Sequence, residues 1–126
     1  PLLETRTIVK RYGHVEALGG QMEGGLRKIF AMHGVTASVA RQGSAFSYYL
    51  MPRVPVDLHD LIEHHDAARD VMLRRALIER GVFFMPIATK QCSISAAHTS
   101  EDVRFTLTQF EEAVASVWPK RRASSA

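Results

Sequence analysis

Three stretches of the chain carry apolar residues at the three- and four-residue spacing of an amphipathic helix. They run from about Thr7 to His33, from Asp57 to Arg80 and from Thr99 to Pro119. The apolar positions of the first stretch are Ile8, Tyr12, Val15, Met22, Leu26 and Ile29. Gly19-Gly20 and Gly24-Gly25 interrupt it, and each interior glycine costs roughly 0.5–1 kcal/mol relative to alanine. We therefore expect either two helical segments or one helix whose glycine side packs closely against another element.

The second and third stretches predict helices with recognisable ends. Asp57 is a candidate N-cap for the second helix, or its main part begins at Asp66 after a short turn. Its predicted buried stripe is Leu58, Leu61, Ile62, His65, Ala68, Met72 and Ala76, widened by Val71, Leu73 and Leu77. In the third, Thr99 with Asp102 approximates a capping box. Its stripe is Val103, Leu107, Phe110, Val114 and Val117. Gly34 and Gly81 are predicted helix stops.

Short strands are predicted between the helices. Alternation over residues 36–41, the turn Gln42-Gly43-Ser44 and the aromatic run 46–51 indicate an antiparallel pair. Residues 82–85 and 92–95 predict two further strands around a loop at 86–91. The element order predicts an α/β (α+β) fold, with a small, mostly antiparallel sheet covered by helices on one face. Residues 1–118 form the expected domain, with 1–33 as its leading helix and 119–126 as a flexible basic tail.

Composition narrows the class of protein. The 126 residues are 46% hydrophobic and 23% charged, as expected for one soluble globular domain. No apolar run approaches the roughly 18–20 residues that span a bilayer, so we expect no membrane partner. Cys92 is the single cysteine, which makes a reducing cytoplasm the default location. The net charge of +3 is modest and basic residues alternate with acidic ones, so no nucleic-acid partner is expected.

The residues alone predict no self-contained active site. His59, Glu63 and His64 can share a helix face, but zinc needs three or four converging ligands and no H-E-x-x-H spacing is present. His65 lies on the apolar stripe, as a partly buried, hydrogen-bonded histidine would. Ser95, His98 and Asp102 are close in sequence, but the capping role accounts for Asp102 and no G-x-S-x-G elbow exists. The glycine pairs match no phosphate-binding pattern. We therefore assign no catalytic, cofactor-binding or metal residue.

Four motifs in order carry a family resemblance. They are Gly25-Leu26-Arg27-Lys28 with His33-Gly34-Val35, then Arg41-Gln42-Gly43-Ser44-Ala45-Phe46, then Leu77-Ile78-Glu79-Arg80-Gly81-Val82-Phe83, and finally Ser95-Ala96-Ala97-His98-Thr99-Ser100-Glu101-Asp102-Val103. With these motifs the chain resembles the C-terminal small domain of the class III aminotransferases, closest to the glutamate-1-semialdehyde 2,1-aminomutases. Those enzymes depend on pyridoxal phosphate (PLP).

The resemblance implies the fold type I architecture of PLP enzymes, a homodimeric parent and an amino-acid or amino-ketone substrate. The lysine that forms the Schiff base belongs to the family's large domain. This chain alone is therefore expected to be inactive and to carry no cofactor, with PLP bound in the full-length parent and the large domain as its missing partner.

The same resemblance marks the substrate side of the domain. Gly43, Ser44 and the loop at 86–91 are the candidates for that side. The aminomutase pattern has a glutamate where this chain has Lys90, and a serine where it has Ile87. One hypothesis is that Lys90 approaches a substrate carboxylate; the alternative is a solvated loop lysine. The competing function, from another class, is a free-standing α/β binding or interaction module without catalysis.

Overall fold

A computed structural model describes residues 2–84, 92–95 and 97–119, and within residues 2–12 only the backbone. The predicted loop at 86–91, with Lys90, and residues 120–126 of the predicted tail lie outside the described residues. The described elements are α1 (Leu2–Met32), β1 (Ser38–Gln42), β2 (Ala45–Tyr49), α2 (Leu58–His64), α3 (Ala67–Glu79), β3 (Cys92–Ser93) and α4 (Ser100–Val117).

α1 is one uninterrupted helix, and two of its glycines permit close packing. A Cβ atom at Gly19 would lie 2.5 Å from the Gly43 carbonyl oxygen, and one at Gly25 would lie 2.4 Å from the Leu107 side chain. A Cβ at Gly24 would meet nothing within 4 Å. The packing interpretation is therefore confirmed at Gly19 and Gly25, and the two-segment alternative is wrong.

Two helices end in the same hydrogen-bonded motif. After α1, the Val35 N–H donates to the Phe30 carbonyl and the Gly34 N–H donates to the Ala31 carbonyl. After α3, the Val82 and Gly81 N–H groups donate to Leu77 and Ile78 in the same way. Both pairs form Schellman motifs, which need a glycine with positive φ directly after the helix. The predicted stops at both glycines are confirmed.

The sheet is small, open and antiparallel, in the order β1-β2-β3. Val39 pairs with Tyr48 and Arg41 with Phe46 across β1 and β2, while Ala45 pairs with Ser93 of β3. Paired residues share a face of a sheet. Val39, Phe46 and Tyr48 are buried beneath the helices. The predicted α+β fold is confirmed.

An aromatic cluster joins this sheet face to the helices. The ring of Phe110 on α4 meets those of Phe30 and Tyr48 edge-on, with centroids 5.5 Å apart in each case. Phe84 packs against Phe46, Tyr48 and Phe110 at 6.0–6.2 Å. Such edge-to-face pairs stabilise a core beyond their buried area. This cluster fixes the sheet against α1 and α4.

The second predicted helix is split, and both proposed start signals are used. The Asp57 carboxylate accepts a hydrogen bond from the Asp60 N–H to cap α2, and the Asp66 carboxylate accepts one from the Arg69 N–H to cap α3. His65 lies between the two helices with an extended backbone. The sequence left open whether the helix begins at Asp57 or at Asp66, and in the structure a helix begins after each of them.

The predicted buried stripe of this region is wrong at half of its positions. Exposed in the structure are Leu58, Ile62, Ala68, Val71 and Met72. The buried side chains of α3 are Asp70, Leu73, Arg74 and Leu77, so the prediction is confirmed for the two leucines and missed the aspartate and the arginine. Polar groups buried with Asp70 and Arg74 determine which face of α3 packs inward, and that face differs from the one that apolar spacing predicts.

Of the two further predicted strands, one is absent over its described part and the other is shorter than predicted. Residues 82–84 form no strand, so the prediction for 82–85 is wrong over its described part, and β3 has only two residues. Val82 and Phe84 point into the core and Phe83 is 69% exposed, so apolar content here reflects packing rather than strand pairing. In the part of the chain that the structure describes, no helix is long and apolar enough to cross a membrane.

Candidate functional site

The β1–β2 hairpin turn holds two of the substrate-side candidates, Gly43 and Ser44. These residues form a two-residue loop between the paired Gln42 and Ala45. Gly43 has φ 60° and Ser44 does not have a positive φ. A positive φ at the first loop position alone is typical of a type II′ turn, where a glycine is required. Gly43 therefore has a backbone reason for its identity, independent of any substrate.

Polar groups brace this turn against α1 and β3. Arg41 donates from Nη1 to the Gly43 carbonyl (2.8 Å) and from Nε to Glu23 Oε1 (3.2 Å). Glu23 also pairs with Arg27, whose Nη2 donates to the Val39 carbonyl at 2.9 Å. The Ser44 carbonyl accepts the Ile94 N–H at 3.0 Å. The turn is thus held at a fixed distance from α1, which suits a rigid wall rather than a moving lid.

One face of the sheet is left uncovered by the described helices. The residues on it are Ser38, Ala40, Gln42, Ala45, Ser47, Tyr49 and Ser93, and we call this set the open sheet face. None of these residues is buried, and none carries a formal charge. A shallow depression of about 460 Å³ runs along it. The solvated face of an antiparallel sheet is usually polar, and interface cores are depleted of charged residues and enriched in tyrosine.

A buried polar network lies on the opposite side of the sheet and was missed by the sequence analysis. Asp70 accepts hydrogen bonds from Tyr48 Oη at 2.7 Å, from Arg74 Nε at 2.9 Å and from His65 Nε2 at 3.2 Å. The Arg74 guanidinium also lies 4.7 Å from the Tyr48 ring centre. The signal in the sequence was the i, i+4 spacing of Asp70 and Arg74, in phase with Leu73 and Leu77.

The hydrogen bonds of this network set its protonation states. The Leu50 N–H donates to His65 Nδ1 at 3.0 Å, so His65 must carry its proton on Nε2, facing Asp70. Burial acts to raise the pKa of Asp70, but the His65 hydrogen bond, the Arg74 charge and the Tyr48 hydroxyl outweigh it and lower that pKa. Burial, with the nearby Asp70 charge, raises the pKa of Tyr48 well above its usual value. The predicted buried, hydrogen-bonded His65 is confirmed, with a structural role.

The serine, histidine and aspartate near the start of α4 do not form a hydrolytic triad. His98 Nδ1 accepts the Ser95 N–H at 2.9 Å and lies 3.3 Å from Ser95 Oγ. Asp102 Oδ2 accepts the Thr99 N–H at 2.8 Å, and the Thr99 hydroxyl accepts the Asp102 N–H. This reciprocal pair is the predicted capping box, which is confirmed. A triad needs the carboxylate to hold the histidine, and here it holds the helix start instead.

Comparison with known proteins gives the chain its family relation. No family model matches it. It is 31% identical over 106 residues to glutamate-1-semialdehyde 2,1-aminomutase 1 of Staphylococcus aureus, covering 84% of this chain and 24% of that protein. This chain matches one part of a glutamate-1-semialdehyde aminomutase. The resemblance predicted from the four motifs is thereby confirmed, and the chain spans about a quarter of the length of the curated relatives it matches.

Solved structures agree on the fold. The glutamate-1-semialdehyde aminomutase of Pseudomonas aeruginosa PAO1 superposes with a TM-score of 0.75 at 22% identity, over 84% of this chain and 23% of that one. An omega-transaminase from Sphaerobacter thermophilus gives a TM-score of 0.72 at 20% identity, over 86% of this chain and 24% of that one. The Pseudomonas enzyme has also been solved in complex with PMP.

The described residues do not by themselves fit a PLP site. PLP chemistry requires a lysine at the cofactor, and among the described residues no lysine lines the depression on the open sheet face. Lys28 is exposed on α1. Within the same residues, no group of three or more histidine, cysteine, aspartate or glutamate side chains could hold a metal ion. We derive no catalytic step through the cofactor on this chain.

Proposed function

We propose that this chain is the small domain of a larger, PLP-dependent class III aminomutase or aminotransferase. One observation carries the proposal: 84% of the chain matches the aminomutase, while only 24% of the aminomutase is matched. The rest of such an enzyme supplies the PLP site and its lysine, and this domain shapes the substrate side. In this proposal the parent is a cytoplasmic homodimer that acts on an amino acid or amino ketone.

The open sheet face is the surface that we expect to dock against the rest of that enzyme. Its seven residues are uncharged, and interface cores are depleted of charged residues.

The hairpin turn and Lys90 complete the proposed substrate side. Gly43 and Ser44 lie at one end of the open sheet face, so a layer docked there would place them at its border. Lys90 replaces a glutamate of the aminomutase pattern, and we propose that its ammonium group approaches a substrate carboxylate. Lys90→Ala in the parent should then raise KM for an acidic substrate; an unchanged KM would exclude this role.

A charge placed on the open sheet face tests the docking proposal. Ser47→Lys in the isolated 126-residue chain should change the free energy of unfolding by less than about 0.5 kcal/mol, because the side chain faces solvent. In the native product the same change buries a charge at the interface and should reduce assembly and cofactor-dependent activity.

Arg75→Gln is the control, because it changes the charge by one unit at an exposed residue of α3, away from the open sheet face. It should leave both the isolated chain and the native product unaffected. A Ser47→Lys product that assembles and turns over like the unmodified one would contradict docking through this face.

A further inference from the structure

The side chain of Arg41 lies against α1 at the glycine pair Gly19-Gly20. A Cβ atom at Gly19 would lie 3.3 Å from Arg41 Cδ and 3.4 Å from Arg41 Nη1, and one at Gly20 would lie 3.9 Å from Arg41 Nη2. The contact at Gly20 leaves room for a methyl group, whereas the contact at Gly19 is too close for one. The guanidinium group therefore occupies a place on the helix surface that the absence of a side chain at Gly19 provides.

From this place Arg41 joins α1 to the hairpin turn. Its Nη1 atom donates to the Gly43 carbonyl at 2.8 Å, and its Nε atom donates to Glu23 Oε1 at 3.2 Å. The Gly43 carbonyl oxygen is also the atom that a Cβ at Gly19 would approach to 2.5 Å. One carbonyl of the turn is thus held both by a charge-assisted hydrogen bond and by direct contact with the helix.

The geometry of Arg41 restricts movement of the whole turn. The side chains of Arg41 and Glu23 are only 21% and 24% exposed. A planar guanidinium group fixes the direction of its hydrogen bonds as well as their length, which a lysine ammonium on a flexible stem does not. On the other side of the turn, the Ser44 carbonyl accepts the Ile94 N–H at 3.0 Å. The turn is therefore held from two sides, and a shift on the α1 side would reach both of its residues.

We propose that Arg41 is a positioning residue for the substrate side of the active site. Held by α1, it fixes where Gly43 and Ser44 stand relative to a bound substrate, and it does not touch the substrate itself. The inference rests on the proposed function, in which these two residues belong to the substrate side. A misplacement of about 1 Å in such a wall can slow a reaction by up to about 100-fold.

Two substitutions displace the turn by different means and leave the net charge unchanged. Arg41→Lys keeps the positive charge but loses the planar fork, and Gly19→Ala places a methyl group against the Gly43 carbonyl. In ¹H–¹⁵N NMR spectra of the 126-residue chain, both should shift the amide signals of Gly43 and Ser44. Hydrogen exchange of the Ile94 amide should become at least about fivefold faster, because its acceptor on the turn moves.

Each substitution has a matched control. Gly24→Ala adds the same methyl group to α1 at a position where it would meet nothing within 4 Å. Arg27→Lys removes a second fork, which pairs with Glu23 but donates to the Val39 carbonyl of β1 at 2.9 Å rather than to the turn. Neither control should shift the amide signals of the turn, and neither should change exchange at Ile94 by more than about twofold.

Two amines that react with PLP measure the consequence in the native product. Aminooxyacetate carries a carboxylate that must fit the substrate side, whereas methoxyamine carries only a methyl group. Both react with the lysine-bound form of PLP and change its absorbance. Arg41→Lys and Gly19→Ala should slow the reaction of aminooxyacetate at least about fivefold and that of methoxyamine less than about twofold, with the PLP content unchanged. General damage to the protein would slow both probes alike.

The two parts of the test separate this inference from the proposed function. Unshifted turn amides in both variants of the 126-residue chain would overturn the inference, whatever the parent enzyme is. So would a PLP-bearing product whose variants react with aminooxyacetate at the unmodified rate, or are slowed equally with both probes. A native product without PLP would overturn the proposed function, and the substrate role of Arg41 with it. Circular dichroism establishes that each variant is folded, and Arg41→Lys decides the test if Gly19→Ala does not fold.

Discussion

α4 and α3 pack side by side against the same sheet, yet they present opposite kinds of residues to the core. α4 buries Val103, Phe110 and Val114, the stripe that its apolar spacing predicts. α3 buries an aspartate and an arginine with two leucines, and exposes Val71 and Ile78. Apolar periodicity therefore located both helices but oriented only one of them.

The difference has a physical cause in the partners that each helix meets. α4 faces the rings of Phe30 and Tyr48, against which apolar side chains pack favourably. α3 faces the hydroxyl end of the same Tyr48 and the imidazole of His65, both of which need hydrogen-bond partners. Asp70 supplies the acceptor for both, and Arg74 balances its charge. A buried acceptor shared by several donors can thus outweigh apolar side chains in setting a helix face.

The largest loss of stability is expected when a buried aromatic side chain of α4 is truncated. Phe110 is fully buried and packs against three aromatic rings. Phe110→Ala should lower the free energy of unfolding by about 3–5 kcal/mol, because the site cannot collapse onto the lost ring. Urea denaturation monitored by circular dichroism measures the change. A loss below about 1 kcal/mol would show that this aromatic cluster contributes little to the stability of the core.

The stability of the fold should be almost as sensitive to substitutions in the buried polar network of α3. Asp70→Ala removes the acceptor of the Tyr48 hydroxyl and of the His65 N–H, together with the carboxylate that pairs with Arg74, and should cost about 3 kcal/mol. Asp70→Asn keeps an acceptor and should cost less. The same denaturation measurement applies. If Asp70→Ala were as stable as the unmodified chain, the network would have no part in orienting α3.

The pH dependence of that loss gives an independent check. The folded-state pKa of Asp70 is lowered, so its carboxylate stabilises the fold above its unfolded pKa of about 3.9, and this contribution is lost as the pH falls through the folded value. The stability difference between the unmodified chain and Asp70→Asn should therefore shrink below about pH 4. A difference that stayed constant from pH 7 to the acid transition would mean that ionisation of Asp70 contributes nothing.

Removing the N-cap of either helix should lower stability by a similar, intermediate amount. Thr99 caps α4 and Asp66 caps α3 through the same kind of side-chain hydrogen bond. Replacing either by alanine should cost about 1 kcal/mol, measured by thermal or urea unfolding. An unaffected Asp66→Ala would indicate that the network alone holds the start of α3.

The smallest effect is expected on the exposed apolar residues of α3. Val71 and Ile78 are 50% and 48% exposed, so Val71→Ser and Ile78→Ser should each change stability by less than about 0.5 kcal/mol. A loss of 2 kcal/mol or more, well beyond the roughly 0.5 kcal/mol typical of surface changes, would mean that this face is buried in solution.

The sequence was sufficient to predict the structure where local sequence signals agree with the packing. The capping box of Thr99 and Asp102, the glycine stops and the hairpin at Gly43 each follow from a requirement of a few neighbouring residues. It was insufficient where long-range contacts decide. The face of α3 depends on Tyr48, which lies 22 residues before Asp70, and the burial of residues 82–84 depends on the aromatic cluster. The open sheet face could not be found from alternation alone, because none of its residues is charged and most of them are small.

If this chain is one domain of a larger PLP enzyme, the native product in the source cells is that larger enzyme. Its intact mass would be measured after borohydride treatment, which fixes an aldehyde cofactor to its lysine. We expect a product about three and a half times as long as this chain, because the 106 matched residues are 24% of the aminomutase, and we expect it to carry a reduced PLP adduct. A native product near 14.1 kDa without an adduct would contradict it, and would leave a binding module as the function to pursue.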